Sequence, residues 1–241
     1  MSRGAYLLSL GLVPYGEAFD LQRSLAAAVS QGAVPDTVVF LEHPAVVTVG
    51  RRTETERELH IPEDAEVEIA ETDRGGKSTY HAPGQLVCYP ILDLRHHGKD
   101  VKRYVRDLEE ALIRTLAAVG LEGVRYEGLT GVWIPPGSGQ GPRKIASIGV
   151  HVSRWVTTHG YALNGDLDPA PFTDWITACG LDDAQFTTMA RELGRPLSVE
   201  DVRPSAIAAI ADVFGLELEE LPADGRAGLW PQPVHASLAS R

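Results

Sequence analysis

The sequence predicts an α+β fold, with a mixed, mostly antiparallel sheet flanked by helices. Three observations point there. Helical and strand-like periodicities are interleaved without the regular β–α–β alternation of a doubly wound sheet. Two strand-like runs, 144–152 and 155–164, abut at Ser153-Arg154 as a hairpin. The chain has 241 residues, 44% hydrophobic and 23% charged, which suits one core-burying domain with at most a small appendage.

Residues 5–13 read as a first strand, ended by Pro14, Gly16 and Glu17. That apolar run is too short for a secretory core, so the chain is expected to stay in the cytoplasm. Residues 18–31 read as a helix with Ala18, Leu21, Leu25, Ala28 and Val29 on one side. TVVFLEHPAVVTVG gives two strands broken at His43-Pro44, because proline lacks a backbone donor. Residues 51–64 read as an exposed polar loop. EVEIAETDRGG reads as a strand entering a glycine-rich turn, and LVCYPILDL as another strand. Residues 101–119 carry Val101, Tyr104, Val105, Leu108, Leu112, Leu116 and Val119 at helical spacing, with Gly120 as terminator. GVWI is a short strand, and 135–143 is a loop rich in Gly and Pro. Residues 183–193 and 199–214 read as helices, the second opened by a Ser198/Asp201 capping box. These elements place one domain at 1–221 and an extended tail at 222–241.

Charge and cysteine count narrow the classes. The net charge of −11 argues against nucleic-acid or anionic-membrane binding. No run approaches the ~18 apolar residues of a membrane span. The charge is uneven: residues 54–73 hold nine acids and one base, whereas 95–106 hold five Lys/Arg and one Asp. The basic run is either a solvated helix face or a docking face for an acidic partner, with Arg51 and Arg52 as a second candidate. Cys88 and Cys179 are too far apart in sequence for a zinc or redox motif, so no metal is expected.

The stretch Arg74, Gly75, Gly76, Lys77, Ser78, Thr79, Tyr80, His81 sets donors beside two glycines that admit close backbone approach. It suits the wall of a pocket for a carbonyl, carboxylate or phosphate; the alternative is a decorated hairpin. Residues 137–144 match neither a P-loop nor a dinucleotide fingerprint, so ATP use is not indicated. Lys144 opens a half-buried strand, where desolvation lowers a lysine's pKa and suits it to accept a proton. An isolated lysine there more often snorkels. Cys179 precedes a helical stretch, which favours thiolate; a lone cysteine is more often a small buried hydrophobe, the reading that fits Cys88. His81 or His159 could serve a thiol as base.

RGGKSTYHAPGQLVCYPILDL, then KIASIGVHVSRWVTTHGYALN, then ACG, together with LEHPAVVTVGR earlier, resemble the lipoyl(octanoyl) transferase family from about residue 5 to about 215. The resemblance implies a catalytic domain like that of biotin– and lipoate–protein ligases. It implies transfer of octanoyl from acyl carrier protein to a lysine of lipoyl domains, those of 2-oxoacid dehydrogenase E2 subunits and the glycine cleavage H protein. No cofactor is implied, and a monomer is expected. Carried over by position, Cys179 is the acyl-accepting nucleophile and Lys144 the proton carrier. Arg74 to His81, Ser147, Ile148, Gly149, Gly160, Tyr161 and Ala162 bind substrate, and the 147–149 turn or backbone near Cys179 holds the oxyanion. Two departures stand out: Ala82 replaces the glycine usual after the motif histidine, and Ala178 replaces the proline usual before the cysteine. An ATP-dependent lipoate or biotin ligase and a non-catalytic acyl-carrier binder remain the alternatives.

Overall fold

The computed structural model describes residues 2–137, 141–176 and 185–222, the side chains of 56 and 57 excepted. Strand β1 (Arg3–Leu12) leads into helix α1 (Tyr15–Ser30), whose apolar stripe of Ala18, Leu21, Leu25 and Val29 is buried. Strands β2 (Thr37–Glu42) and β3 (Val46–Val49) follow, divided at His43-Pro44 as the sequence predicts. The stretch 51–64 departs from the expected exposed loop. It contains a helical turn, α2 (Thr55–Glu58), and Glu58 is buried because Lys77 pairs with it. Next come β4 (Glu68–Glu71), β5 (Thr79–His81) and β6 (Gln85–Ile91). Helix α3 (Val101–Ala118) is N-capped by Asp100. It is followed by β7 (Val124–Tyr126), β8 (Leu129–Ile134), β9 (Arg143–Ser153) and β10 (Val156–Asn164). The β9–β10 turn falls one residue later than expected, on Arg154 and Trp155. Both have positive φ (50° and 70°), as the tight two-residue hairpin turn demands.

The rest of the described chain is α4 (Pro171–Asp174), β11 (Gln185–Phe186), α5 (Met189–Leu193), α6 (Val199–Phe214) and β12 (Leu216–Glu220). The expected helix over 183–193 is therefore mostly not helix: 183 and 184 lie outside the described residues, 185–186 pair with β9, and only the end is helical. The α6 capping box is present as predicted. The tail from 223 lies outside the described residues.

Among the described residues the main sheet runs β12-β1-β2-β6-β10-β9-β8-β7, with β11 added alongside β9. Two of its pairings, β12–β1 and β1–β2, are parallel, as is the short β11–β9 edge; the rest are antiparallel. A second sheet, β4-β3-β5, stands apart. This is the mixed, mostly antiparallel α+β architecture. Strand alternation divides the main sheet's side chains. Leu86, Cys88, Tyr161 and Leu163 join α3 and α6 in one core, whereas Val87, Tyr89 and Ala162 join α1 in another. A third core, Val47, Tyr80, Leu167, Phe172, Ile176 and Phe186, fastens the small sheet to α4 and β11.

Gly160 lies on β10 against the backbone of β6. A Cβ there would sit 2.2 Å from the Cys88 carbonyl oxygen, so only glycine allows this strand pairing.

Candidate active site

The α1-facing side of the main sheet forms the floor of a cavity of about 300 Å³. Ala162 stands between Val87 and Ser147, and Gly160 beside Gly149, so three strands contribute a level floor of small side chains. The small sheet and the glycine-rich turn form the opposite wall. The Gly75 amide donates to the Val150 carbonyl at 2.9 Å, seating the turn on β9, and Gly76 takes φ +93° there.

The cavity lining includes Arg74, Gly76, Lys77, Ser78, Thr79 and His81 from the turn. It also includes Ser147, Ile148 and Gly149 from β9, and Gly160, Tyr161 and Ala162 from β10. Two of the sequence-selected residues lie elsewhere. Gly75 is not on the lining. Tyr80 turns the other way on its strand and packs edge-on against Phe172 and Trp175, because neighbours on a strand face opposite sides. Residues 147–149 form no turn: they lie inside β9, paired with 160–162, so the proposed oxyanion donors of a 147–149 turn lose that basis.

Lys144 is buried, 3% exposed, with Nζ 5.3 Å from the centroid of the Trp133 ring. That is cation–π range, and the indole face gives a lysine head a place in an apolar wall. The half-buried lysine expected from the sequence is thus fully enclosed and lines the cavity. Phe186 pairs in register with Lys144, and the Thr187 amide donates to the Lys144 carbonyl at 3.0 Å. Arg143 grips Glu192 through two bonds of 2.8 and 2.9 Å, tying the start of β9 to α5. Cys179 lies in 177–184, outside the described residues. On one side of that stretch Ile176 bridges to Leu59; on the other Phe186 meets Lys144.

The inner end of the cavity is polar, and its histidines and arginine are bonded to neighbouring protein groups. Arg74, 7% exposed, donates to the Thr48 carbonyl (2.8 Å) and hydroxyl (2.7 Å) and to the Lys77 carbonyl (2.6 Å). His81 donates from Nδ1 to Gln85 Oε1 at 2.7 Å, and Gln85 donates onward to Asn164 at 2.9 Å. His43 donates from Nδ1 to the Val13 carbonyl, so its Nε2 accepts from the Tyr89 hydroxyl, both at 2.7 Å. Burial lowers the pKa of all three histidines here: His43 to about 4, His81 well below its usual value with His43 adding to the effect, and His159 in spite of its bond to Asp73. Burial also raises Tyr15 to about 12. Asp73 behaves oppositely: burial pushes its carboxyl up, but the 2.7 Å bond from His159 Nε2 and the charges of His159, His151 and Arg51 hold it below the usual value. At neutral pH this end therefore holds neutral imidazoles around one buried guanidinium. His81 and His159, the alternative bases for a thiol, both line the cavity, and each is bonded to a partner that fixes its ring. Cys88 is buried in the α3-side core and burial pushes its thiol up, which agrees with its reading as a small hydrophobe.

Several lining residues escaped the sequence reading: Tyr15, Val87, Tyr89, Leu129, Trp133 and Phe186. Strand β6 is buried at every position, so no alternation singles out Val87 and Tyr89. Trp133 meets Lys144 only through the β8–β9 pairing. The basic run 95–106 lies away from the cavity. Its helix covers the opposite face of the sheet, and Arg95, Arg103 and Arg106 pair with Asp93, Asp107 and Glu109.

Comparison with known proteins follows the same lines. The family model of the lipoyl protein ligase A/B catalytic domain matches residues 14–211. The octanoyltransferase of Chloroflexus aurantiacus is 48% identical over 212 residues, spanning 86% of this chain and 93% of that protein. The octanoyltransferase of Mycobacterium tuberculosis is 51% identical over 202 residues, 83% of each. Among solved structures, a bipartite lipoate protein ligase from Thermoplasma acidophilum superposes with a TM-score of 0.72 at 17% identity, covering 94% of this chain and 90% of that one.

Proposed function

The chain belongs to the lipoyl protein ligase A/B catalytic-domain family and, within it, to the octanoyltransferases; from that premise we propose how it moves the acyl group, from what donor and to which acceptors. The enzyme is an acyltransferase of protein lipoylation. The donor is octanoyl-acyl carrier protein, and the acceptors are lipoyl domains: those of 2-oxoacid dehydrogenase E2 subunits and the glycine cleavage H protein. Residues 1–221 are the catalytic domain, working as a cytoplasmic monomer. Among the described residues no helix is long and apolar enough to cross a membrane.

The observation that carries the mechanism is the register of Phe186 on Lys144. It brings the chain, seven positions after Cys179, alongside the buried lysine at the cavity wall. In the first step the Cys179 sulfur attacks the thioester carbonyl carbon, a new C–S bond forms, and the C–S bond to the phosphopantetheine arm breaks. Lys144 takes the cysteine proton and returns it to the departing thiolate. In the second step the acceptor lysine's amine attacks the acyl-enzyme carbonyl, a C–N bond forms, and the bond to Cys179 breaks. Lys144 carries the amine proton to the cysteine sulfur. A thioester becomes an amide, a downhill change that calls for no ATP. The octanoyl tail lies along the Ala162–Ser147 floor toward Gly149 and Gly160.

The test is an intact mass after incubation with octanoyl-acyl carrier protein, without acceptor or ATP. A gain of one octanoyl group, absent in Cys179→Ala and discharged by a lipoyl domain, is the expected result. No adduct, with ATP-dependent modification of a lipoyl domain by free octanoate, would assign the chain to ligase chemistry instead.

A further inference from the structure

Four cationic side chains reach the cavity wall: Arg52, Arg74, Lys77 and Lys144. Arg74 is bonded inward to Thr48 and the Lys77 carbonyl, Lys77 to Glu58, and Lys144 is buried over Trp133. Arg52 differs. It is exposed, so it stands where the cavity meets solvent, and among the described residues no carboxylate lies within ion-pair distance of it. Its backbone is nevertheless held firmly. The Arg52 amide donates to the Gly76 carbonyl at 3.1 Å, the Arg51 amide to the Arg74 carbonyl at 3.2 Å, and Ser78 Oγ to Thr53 Oγ1 at 3.2 Å. The strap 50–53 lies so close to the glycine-rich turn that a Cβ on Gly50 would sit 2.5 Å from the Gly76 carbonyl oxygen. A guanidinium on a fixed backbone at the mouth of a ligand cavity is a pre-organised anion fork.

In the ground state neither the acyl donor's reacting end nor the acceptor amine gives it an anion to hold. The octanoyl tail is apolar, the thioester is neutral, and the acceptor lysine is itself a cation or an amine. On the reading that the donor is an acyl carrier thioester, the first anion met on leaving the thioester along the arm is the phosphodiester that joins pantetheine to the carrier. We propose that Arg52 reads this phosphodiester and so distinguishes a phosphopantetheine-borne acyl group from any other octanoyl thioester. This role is in specificity, and Arg52 takes no part in the bond-making steps.

The experiment compares two small donors that differ only in the phosphate, octanoyl-4′-phosphopantetheine and octanoyl-pantetheine, with one lipoyl domain as acceptor. The wild-type enzyme is expected to prefer the phosphorylated thioester through KM. Arg52→Ala is expected to shrink the ratio of the two kcat/KM values by roughly tenfold, the size of one lost charge-assisted contact. Arg52→Lys should retain part of the ratio, Arg52→Glu should bring it below that of Arg52→Ala, and added salt should narrow the wild-type ratio. A ratio unchanged in Arg52→Ala and Arg52→Glu, with both donors still used, would overturn the assignment of Arg52 alone. Failure of the wild type to use either thioester, with turnover of free octanoate and ATP, would instead remove the transferase mechanism on which it rests and leave Arg52 beside a carboxylate substrate.

Discussion

At the scale of single residues, the cavity works through groups whose partners have already been chosen. Lys144 is the one that the proposed chemistry requires to exchange protons. Lys144→Ala is expected to slow acyl-enzyme formation by 10²- to 10⁴-fold, the range of a general acid–base group, measured by quenched-flow mass analysis. An unchanged rate would remove it from the mechanism. The buried histidines set a pH dependence of stability. A histidine held neutral by burial has a folded pKa below its unfolded value, so the unfolded chain binds the extra proton first. Stability is then complete above about pH 6.5 and is lost as pH falls toward the folded value. For His43, taken from 6.5 to about 4, that loss is on the order of 3 kcal/mol; His81 and His159 act in the same sense, and Asp73 adds to it at lower pH as its carboxylate protonates. Urea midpoints measured between pH 7.5 and 4.5 should fall, and His43→Gln should flatten the curve. The segment 74–81 was visible in the sequence because polar side chains beside paired glycines have few structural reasons to occur, whereas Lys144 stood out only through the family motif that KIASIG resembles. Trp133, Tyr89 and Tyr15 were not, because an aromatic in a strand or helix is usually core, and these three are core and lining at once.

At the scale of elements, local rules account for the boundaries. His43-Pro44 divides β2 from β3, and the Ser198/Asp201 box starts α6. Ser198→Ala is expected to cost about 1 kcal/mol in a denaturant titration, with no effect on turnover. Gly160→Ala is expected to fail differently. A methyl 2.2 Å from the Cys88 carbonyl forces β10 away from β6, so soluble yield and thermal midpoint should collapse together. A variant as stable as the wild type would mean that the two strands can separate at no cost. Short strands were harder to read. β5, β7 and β11 have two or three residues each, too few for an alternation to register, and they exist because a neighbouring strand offers them hydrogen bonds. The stretch 183–193 reads as helical on composition, yet β9 claims Gln185 and Phe186 by pairing with Arg143 and Lys144.

At the scale of the whole molecule, two sheets enclose a slot of about 300 Å³. Burying each CH₂ contributes about 0.8 kcal/mol, so shortening the tail from eight carbons to four should weaken binding by about 3 kcal/mol, roughly two orders of magnitude. Competition between octanoyl and butanoyl thioesters measures this, and equal affinity would place the tail outside the slot. The sequence by itself determined the fold class, the order of the main elements, and the residue types able to carry acyl transfer, because periodicity, proline breaks, caps and clustered motifs are local in the chain. Only the tertiary structure decided which of those residues face one another. It turned Tyr80 away and left Gly75 off the lining, while bringing Trp133 and Phe186 to Lys144 and Arg52 to the cavity mouth. The reason is physical: the side a strand residue faces depends on register with strands distant in sequence, and a one-residue shift in that register exchanges wall for core.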